Sequence, residues 1–246
     1  MKDQKIIIAL PMYNESGSIE LLLDRIVDYM EFYKHSYEIV IYNDGSSDDS
    51  LAICQAKQKS NPNVKVIDGK VNVGLGKALS ELVFHSIKEY KADDILIIMD
   101  ADNTHNPEHV HKMYGCIRDG FDVVIASRYK ADSRIVGLTK FRKLLSYGAS
   151  LMFRLMFPLK GVKDYTCGYR AYNIGTLQKA EDKYKDKLIT ENGFACMAEL
   201  LVKLRTLDIL ACEVPLVLRY DRKVTDSKMQ ILKTIRRTLL LFLKNR

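Results

Sequence analysis

The sequence predicts an α/β protein with a mostly parallel central sheet and helices on both faces. Three observations support this fold class: apolar runs of strand length, longer segments of helical periodicity between them, and polar loops after several runs. Alternation at this spacing is typical of βα units, whose strands pair in parallel. No linker, repeat or low-complexity segment divides the chain, so we expect one domain over residues 1–227, followed by a C-terminal helix over 228–246.

Five apolar runs are the predicted strands. They are KIIIAL (5–10), EIVIY (38–42), VKVI (64–67), DILIIM (94–99) and FDVVIAS (121–127). The segments between them have the period of amphipathic helices. These helices are expected at 18–33, at about 48–59, at about 76–90 and from about Pro107, a residue type favoured at the first helical position. In open α/β sheets ligands bind at the carboxyl ends of the strands, where the loops PMYNES, NDGSSDDS and DADNTHN fall.

Composition narrows the class of protein and its partners. The formal net charge of +7 favours anionic partners, such as phosphorylated small molecules, an anionic membrane surface or nucleic acid. The five cysteines are scattered, without a CxxC pair, which suits a reducing compartment and argues against structural zinc or a disulfide framework. The first apolar run is too short for a signal peptide, and no window reaches the roughly 18 apolar residues of a membrane span. We therefore expect a cytoplasmic protein.

Two segments of the second half combine apolar and basic residues at helical spacing. They are LTKFRKLLSYGASLMFRLMFPL (138–159), with an interface helix expected at about 139–157, and KMQILKTIRRTLLLFLKNR (228–246). Such helices can lie in a membrane interface, with the apolar face in lipid and the cations near its phosphates. They can equally pack the apolar face on the core of the domain. Two of them on one basic chain favour peripheral attachment to the cytosolic face of a membrane.

The loop after the fourth strand carries a D-x-D motif, Asp100-Ala101-Asp102. On an extended backbone, residues i and i+2 point the same way, so the two carboxylates can face one cation. Mg²⁺ and Mn²⁺ prefer such oxygen ligands, and Mg²⁺ is commonly bound by one or two carboxylates plus substrate phosphates. The alternative is a solvated acidic turn, because D-x-D also occurs by chance. Its position after a buried strand favours the metal site.

Two further loops suit a nucleotide. In NDGSSDDS (43–50), Asn43 and Asp44 could contact a base or ribose, or the segment could simply form an Asx-type turn that caps a helix. In VNVGLGKAL (71–79), Gly74 and Gly76 precede a helix, which suits phosphate approach to its N-terminus, although the glycines could merely serve the turn. The spacing matches neither GxGxxG nor a P-loop.

Taken together, these motifs resemble the family-2 glycosyltransferases with a GT-A (Rossmann-like) fold, and within them the dolichyl- or polyprenyl-phosphate mannosyltransferase branch. The resemblance extends from Ile6 to about Met229. It depends on the segments PMYNES, NDGSSDDS, NVGLGKA, DADNTHNPE, ASRY, DYTCGYRAYN, EVPL and DRKVTDSKM, which appear in that order. Three pieces are more specific to transfer onto a lipid phosphate, namely SRY, the TCGYR element and the R-x-x-x-x-SK spacing in DRKVTDSKM.

The resemblance implies roles for individual residues. The residues that would bind the nucleotide sugar are Pro11, Tyr13, Glu15, Asn43, Asp44, Gly74, Lys77, Asp100, Ala101 and Asp102. Asp100 and Asp102 would be the metal ligands. The acceptor phosphate would be bound by Ser127, Arg128 and Arg142. The catalytic set would be Asp102, Arg128, Arg142, Arg222 and Lys228, the last two closing over the phosphates.

The resemblance also implies a metal-dependent, inverting transfer of a hexose to dolichyl or polyprenyl phosphate. GDP-mannose is the favoured donor, and UDP-glucose stays open because Asn43 stands where the family commonly has Asp. Thr104 stands where a third metal ligand is usual in the branch. The chain either docks through its own helices or is held by a membrane-anchoring partner protein.

Two other functions stay open from the sequence. Transfer to a glycan or another soluble hydroxyl would need a general base, for which Asp164 and Glu199 are candidates. A non-enzymatic binder of nucleic acid or membrane would explain the charge but not the polar loops at strand ends, so no nucleic-acid partner is expected.

Overall fold

Residues 4–222 and Arg237 are described by the computed structural model, and seven of the strands form one sheet. The strands are β1 (Ile6–Met12), β2 (Tyr37–Asn43), β3 (Val64–Asp68), β4 (Ile95–Ile98), β5 (Val123–Ser127), β6 (Arg134–Val136), β7 (Arg170–Asn173), β8 (Ala211–Pro215) and β9 (Val217–Arg219). The helices are α1 (Ile19–Phe32), α2 (Ser50–Ser60), α3 (Leu75–Glu89), α4 (His109–Arg118), α5 (Lys140–Met156), α6 (Ile174–Tyr184) and α7 (Cys196–Leu204).

The sheet has the strand order β3-β2-β1-β4-β7-β5-β8, and it is parallel except for β7, which runs antiparallel to β4 and β5. This arrangement confirms the predicted fold class, and the five predicted strands are confirmed as β1 to β5. A separate pair joins β6 to β9 in parallel. The expected domain boundary at 227 and the helix over 228–246 lie outside the described residues, with the exception of Arg237.

Burial on both faces explains the continuous apolar runs of the central strands. Every residue of β2 is buried, and Ile6, Ile7 and Ile8 of β1 have no exposed surface. Helix α1 covers one face with side chains at helical spacing, from Ile19 to Met30. A parallel sheet covered on both faces requires such runs.

The chain changes direction across the sheet at β1. The connection through α1 leads to β2 on one side of β1, whereas the connection through α3 leads to β4 on the other side. The two connections leave a crevice at the carboxyl ends of β1 and β4, which is where ligands bind in open α/β sheets. The loops that begin after Met12 and after Ile98 therefore face each other.

Helix α5 lies where the amphipathic helix was expected, at about 139–157, and its role at a membrane interface stays a prediction. It begins after Thr139, whose side chain accepts a hydrogen bond from the backbone N–H of Arg142. Its buried side chains are Ser150 and Phe153 alone, while Leu144 and Leu155 are 68% and 76% exposed. Most of the apolar face of α5 is thus not packed on the core. Among the described residues no helix has both the length and the hydropathy to span a membrane.

Candidate active site

A cavity of about 890 Å³ lies at the carboxyl ends of the strands, between the loops after β1, β2 and β4 and helix α5. Most of the residues predicted for the site contribute to its wall. They are Pro11, Tyr13, Glu15, Asp44, Gly74, Asp100, Ala101, Asp102, Arg128 and Arg142. Four predicted residues do not lie on the wall, namely Asn43, Lys77, Ser127 and Arg222. Lys228 lies outside the described residues.

The loop after β1 is fixed to the loop after β2 by side chains of both. The backbone N–H of Glu15 donates to Ser50 Oγ at 2.7 Å, and that of Ser16 donates to Asp48 Oδ2 at 3.1 Å. Burial by itself raises the pKa of Asp48, but hydrogen bonds from Ser50 and Ser16 outweigh it and lower the pKa to about 2. Asp48 therefore stays ionised and links the two loops, which sets the position of Tyr13 and Glu15 on the wall.

Asn43 and Asp44 have different environments. Asp44 faces the cavity and accepts the N–H groups of Val73 and Gly74 at 2.8 and 3.0 Å, while burial raises its pKa despite these two bonds. Asn43 points back into the turn. Its Nδ2 donates to Asp68 Oδ1 at 2.9 Å and its Oδ1 accepts the N–H of Ser46 at 3.1 Å. Its predicted contact with the nucleotide stays a prediction, and its amide has a structural use of its own.

The contact between Asn43 and Asp68 accounts for an amide at position 43. In Asn43→Asp, two carboxylates would face each other where the amide now donates, with position 43 almost fully buried. We expect the free energy of unfolding at neutral pH to fall by about 1–3 kcal/mol. Urea denaturation followed by circular dichroism measures it. The difference in the free energy of unfolding between the variant and the parent should narrow as the pH approaches about 4, where carboxylates protonate. Equal stability at neutral pH would contradict this explanation.

The start of α3 packs directly on the loop before α7. A Cβ at Gly76 would lie 1.7 Å from the carbonyl oxygen of Glu191, and the N–H of Gly76 donates to Asn192 O at 3.3 Å. Gly76 is therefore required for a backbone-to-backbone contact. Gly74 has a φ of +93° and lies on the cavity wall. Lys77 instead forms an exposed ion pair with Glu81, and its predicted contact with the nucleotide stays a prediction.

Asp100 and Asp102 both line the cavity, as predicted, but they do so from a bend rather than from an extended strand. β4 ends at Ile98, and Asn103 has a positive φ of 59°, which closes the turn. The carboxylate of Asp102 accepts the hydroxyl of Thr104 at 2.7 Å, and that of Asp100 lies 3.8 Å from His105 Nε2. The bend therefore presents two carboxylates, with Thr104 supporting one of them.

These two carboxylates fit a hard divalent cation that is shared with a ligand. In the described part of the chain no three His, Cys, Asp or Glu side chains converge on one point. A cation at Asp100 and Asp102 would therefore need ligand or water oxygens to complete its coordination, which is the usual way that Mg²⁺ binds beside phosphates. The donor set of this loop agrees with that mode.

The aspartate loop is held in place by two side chains and one backbone N–H from other parts of the fold. Arg25 of α1 donates to Asn103 Oδ1 at 2.5 Å and to Asn106 Oδ1 at 2.7 Å. Tyr169, which precedes β7, donates to the carbonyl of Asn106 at 3.0 Å. The N–H of Arg219 in β9 donates to Thr104 O at 3.1 Å. The bend is thus fixed by the rest of the fold before any ligand binds.

Three histidines, His105, His109 and His111, lie near this loop, and the sequence predicts the last two on the surface of the helix from about Pro107. His109 was expected on a helix surface, but it is buried, and its Nε2 accepts the backbone N–H of Val217 at 3.1 Å. Burial lowers its pKa to about 4, so the neutral ring can accept this bond. His111 is exposed, as expected, and contacts His35 at 3.2 Å. The expectation for His109 was wrong because β9, whose packing the periodicity of α4 does not show, covers it.

Arg128 lies on the cavity wall but is already paired. Its Nε and Nη2 bind Asp164 Oδ2 and Oδ1 at 2.8 and 2.6 Å, and Nη2 also reaches Thr166 Oγ1 at 2.6 Å. Burial alone would raise the pKa of Asp164, but the Arg128 guanidinium outweighs it and holds that pKa below the usual range. Arg128 therefore contributes a fixed fork of N–H groups whose positive charge Asp164 largely balances.

The other predicted phosphate-binding residues are placed as follows. Arg142 of α5 is half-buried on the cavity wall. Ser127 is fully buried, and its Oγ accepts the N–H of Tyr129 at 3.1 Å, so it shapes the chain beside Arg128. Arg222 lies near enough to Arg25 to lower the pKa of that guanidinium, although burial of Arg25 is the larger cause. Arg222 is therefore on the side of the aspartate loop.

Sequence reasoning missed several residues of the wall. His105 stacks on Tyr169 with ring centroids 4.8 Å apart, while Phe194 lies in the loop before α7 and Met197 in its first turn. Arg237 also lines the cavity, although its segment was expected at a membrane. His105 lies within the motif DADNTHNPE, whereas Phe194, Met197 and Arg237 lie outside the motifs and reach the cavity through long-range packing.

Comparison with known proteins gives one family. The family model described as "Glycosyl transferase family 2" matches residues 7–178. A dolichol-phosphate mannosyltransferase of Pyrococcus furiosus is 31% identical over 200 residues, which are 81% of this chain and 53% of that protein. The chain thus spans about half the length of that relative. An undecaprenyl-phosphate mannosyltransferase of Micrococcus luteus is 28% identical over 226 residues, or 92% of this chain and 87% of that protein.

Among solved structures, glucosyl-3-phosphoglycerate synthase of Mycobacterium tuberculosis has a similar fold. Its complex with Mn²⁺ and UDP-glucose has a TM-score of 0.68 at 19% identity, covering 98% of this chain and 79% of that one. Its complex with Mg²⁺ and UDP has a TM-score of 0.66. At this identity the likeness concerns the fold.

Proposed function

Because the chain belongs to glycosyl transferase family 2, we propose that it transfers a hexose from a nucleotide sugar to a polyprenyl or dolichyl phosphate. The proposal includes inversion at the sugar and a divalent cation, Mg²⁺ or Mn²⁺, at Asp100 and Asp102. The names of the Pyrococcus and Micrococcus relatives support the lipid phosphate and the mannosyl group. The GT-A fold expected from the resemblance is confirmed, and it is the fold on which the site is built.

The observation that carries this proposal is one cavity with carboxylates and arginines on its wall. Asp100 and Asp102 present oxygen ligands, while Arg128 and Arg142 lie on the wall near α5. A cation suits the diphosphate of the donor, and arginine forks suit a phosphate acceptor. The same cavity can therefore take two anionic substrates together.

The carboxylates available for a general base favour a phosphate acceptor over a hydroxyl. Asp164 is fully buried and bound to Arg128. Glu199 is buried as well, accepts the N–H groups of Thr190 and Glu191 at 2.8 Å and pairs with Lys203 at 2.6 Å. Both candidate bases for a soluble acceptor thus have structural partners. A phosphate monoester, whose second pKa is about 6, is already largely deprotonated at neutral pH.

The mechanism follows from holding two anions in a fixed geometry. A phosphate oxygen of the acceptor attacks the anomeric carbon, the bond to the diphosphate breaks, and the nucleoside diphosphate leaves with the bonding electrons. Arg142 and the guanidinium of Arg128, whose Nε and Nη2 are bound by Asp164 and Thr166, orient the acceptor, while Asp44 and the loop of Tyr13 and Glu15 line the donor side. A bound cation would supply positive charge against the leaving diphosphate. Proximity and charge stabilisation provide the rate enhancement.

The proposed donor is GDP-mannose, with a UDP-sugar as the alternative. The names of the relatives favour mannose, whereas the glucosyl-3-phosphoglycerate synthase complexes contain UDP. From the sequence, Asn43 left the choice between a GDP-sugar and a UDP-sugar open, but in the structure its amide is bound to Asp68 and Ser46. The residue at position 43 therefore weighs less against GDP than the sequence suggested.

Transfer assays with labelled donors test this function. Purified protein is incubated with GDP-mannose or UDP-glucose, a polyprenyl phosphate in detergent, and Mg²⁺, Mn²⁺ or a chelator. We expect label in the lipid extract with one donor and loss of the product with the chelator. Transfer to a glycan or a soluble hydroxyl, with no lipid product, would favour the alternative acceptor.

The exposed apolar face of α5 supports docking on the cytosolic surface of a membrane. Contiguous apolar surface of this kind marks protein or membrane contacts, and Phe141 and Leu144 on it lie beside Arg142 at the cavity. A lipid acceptor would reach the cavity from this side. A membrane-anchoring partner protein remains an additional proposal.

Charge on this face should abolish binding to vesicles without unfolding the protein. For Leu144→Glu combined with Leu155→Glu, we expect at least a tenfold loss of co-sedimentation with anionic vesicles. The two exposed leucines would lie in the lipid boundary, and a carboxylate at either position would oppose this insertion. Thermal unfolding should be unchanged, since neither side chain packs on the core. Leu21→Glu, at a residue of α1 that is 57% exposed, is the control. Unaltered sedimentation of the double variant would exclude α5 as the docking surface.

A further inference from the structure

Arg237 is the one residue after Arg222 that the structure describes, and its side chain lines the cavity. It lies against Gly193, in the loop before α7. A Cβ at Gly193 would lie 2.6 Å from Arg237 Nη1 and 3.7 Å from its Cζ. The missing side chain of Gly193 thus leaves the space in which the guanidinium lies.

The loop that receives Arg237 is held firmly on both sides. Glu199 accepts the backbone N–H groups of Thr190 and Glu191, each at 2.8 Å. On the other side, Asn192 O accepts the N–H of Gly76 at the start of α3. Gly193 follows directly, so the position of the guanidinium is set by a loop tied to two helices.

The balance of charge in the cavity indicates what the guanidinium of Arg237 can bind. The carboxylates of Glu15, Asp44, Asp100 and Asp102 line the cavity. Two phosphate-bearing substrates add further negative charge, which a single divalent cation would not balance; a phosphate monoester alone carries about −1.5 to −2 at neutral pH. Arg128 is largely balanced by Asp164. On the described wall, Arg142 and Arg237 are then the arginines whose charge can meet this excess.

From this arrangement we infer that Arg237 binds a phosphate oxyanion inside the cavity and is thereby part of the substrate-binding site. The inference rests on the proposed function, which brings a diphosphate and a lipid monophosphate to the same cavity. Arginine suits either group, because its planar fork donates two parallel N–H bonds to phosphate oxygens. From the segment over 228–246 the sequence predicted only Lys228 at the site, and Arg237 is a second residue of that segment with a role there.

Two variants test the inference from opposite sides. Arg237→Ala removes the guanidinium, whereas Gly193→Ala leaves it in the chain but fills the space it occupies. Gly193→Ala should fold, because the atom it meets is the end of a long side chain and its φ lies outside the left-handed range. Gly115→Ala, where a Cβ meets nothing within 4 Å, and Lys179→Ala on the exposed side of α6 are the matched controls.

Binding is measured in two assays, or arms, neither of which requires catalytic turnover. Calorimetry with GDP or UDP and Mn²⁺ reports the diphosphate. Co-sedimentation with phosphatidylcholine vesicles containing polyprenyl phosphate, compared with phosphatidylglycerol at equal charge, reports the monophosphate. We expect about a tenfold loss of affinity in one arm for both Arg237→Ala and Gly193→Ala, and less than twofold for the controls. The arm that responds identifies the phosphate.

Unchanged affinity in both arms for Arg237→Ala would overturn the inference, and so would a loss no larger than that of Lys179→Ala. The outcome is separate from that of the proposed function. Loss of binding in a protein that transfers no sugar to lipid would support the role of Arg237 and reject the lipid acceptor. Full transfer of sugar to lipid, together with unaltered binding in Arg237→Ala, would support the lipid acceptor and reject the role of Arg237.

Discussion

Asp102→Asn is expected to reduce sugar transfer by about 10²–10³-fold, while the protein keeps its fold. The asparagine retains an oxygen that can accept the hydroxyl of Thr104, as Asp102 does at 2.7 Å, so the bend should persist. What it loses is the negative charge facing the cavity, and with it one of the two carboxylates that would hold the cation. Loss of one group that stabilises developing charge typically costs this much in kcat.

The measurement is the initial rate of transfer to lipid at saturating donor, over a range of Mn²⁺ concentrations. The apparent affinity for Mn²⁺ should fall together with the rate, and calorimetry with Mn²⁺ and nucleotide should show the same loss. Asp186→Asn, at an exposed position far along the chain, provides the control for loss of one negative charge. Transfer by Asp102→Asn at the parental rate would reject the metal site.

Asp164→Asn is expected to lower the free energy of unfolding by about 3–5 kcal/mol, the usual cost of breaking a buried ion pair. Its carboxylate is fully buried and accepts bonds from the side chain and backbone N–H of Arg128. The variant would leave the Arg128 guanidinium buried without a counter-charge. Urea denaturation at neutral pH measures the change.

A double variant separates stability from function. Arg128→Met combined with Asp164→Asn should recover much of the lost stability, because no uncompensated charge remains, while transfer stays low because the phosphate loses its arginine. The pH dependence gives a second check. Since the pKa of Asp164 is lowered in the fold, its contribution is complete above the unfolded-state value of about 3.9 and is lost as the pH falls through the folded value. Asp164→Asn should lack this acid-dependent component, and a single variant as stable as the parent would contradict the whole account.

Much of the fold could be predicted because its signals are local. The apolar runs of β1 to β5 and the periodicity of the helices between them are properties of neighbouring residues. Strand β7 was not predicted, because its four residues, Arg170–Asn173, show no apolar run. They form a strand by pairing antiparallel with β4 and β5. The bend at Asp100 was also misjudged, because the end of a strand depends on its neighbours.

The site shows the same division between what is local and what is not. The loops that carry Asp44, Asp100 and Asp102 could be placed at the crevice from topology alone. The orientation of each side chain could not, as Lys77 illustrates by turning outward to Glu81. Arg128 and Asp164 are 36 positions apart, so no local sequence pattern predicts that they pair.

The contact of β9 with the aspartate loop has a consequence for protein engineering. The N–H of Arg219 donates to the carbonyl of Thr104, so both partners are main-chain atoms. Any residue type except proline at position 219 keeps this donor. The side chains of β9, one of which (Leu218) reaches the cavity, can therefore be exchanged in a library without removing the link. Exchanges at this strand can also alter the cavity wall while the aspartate loop keeps its backbone contact.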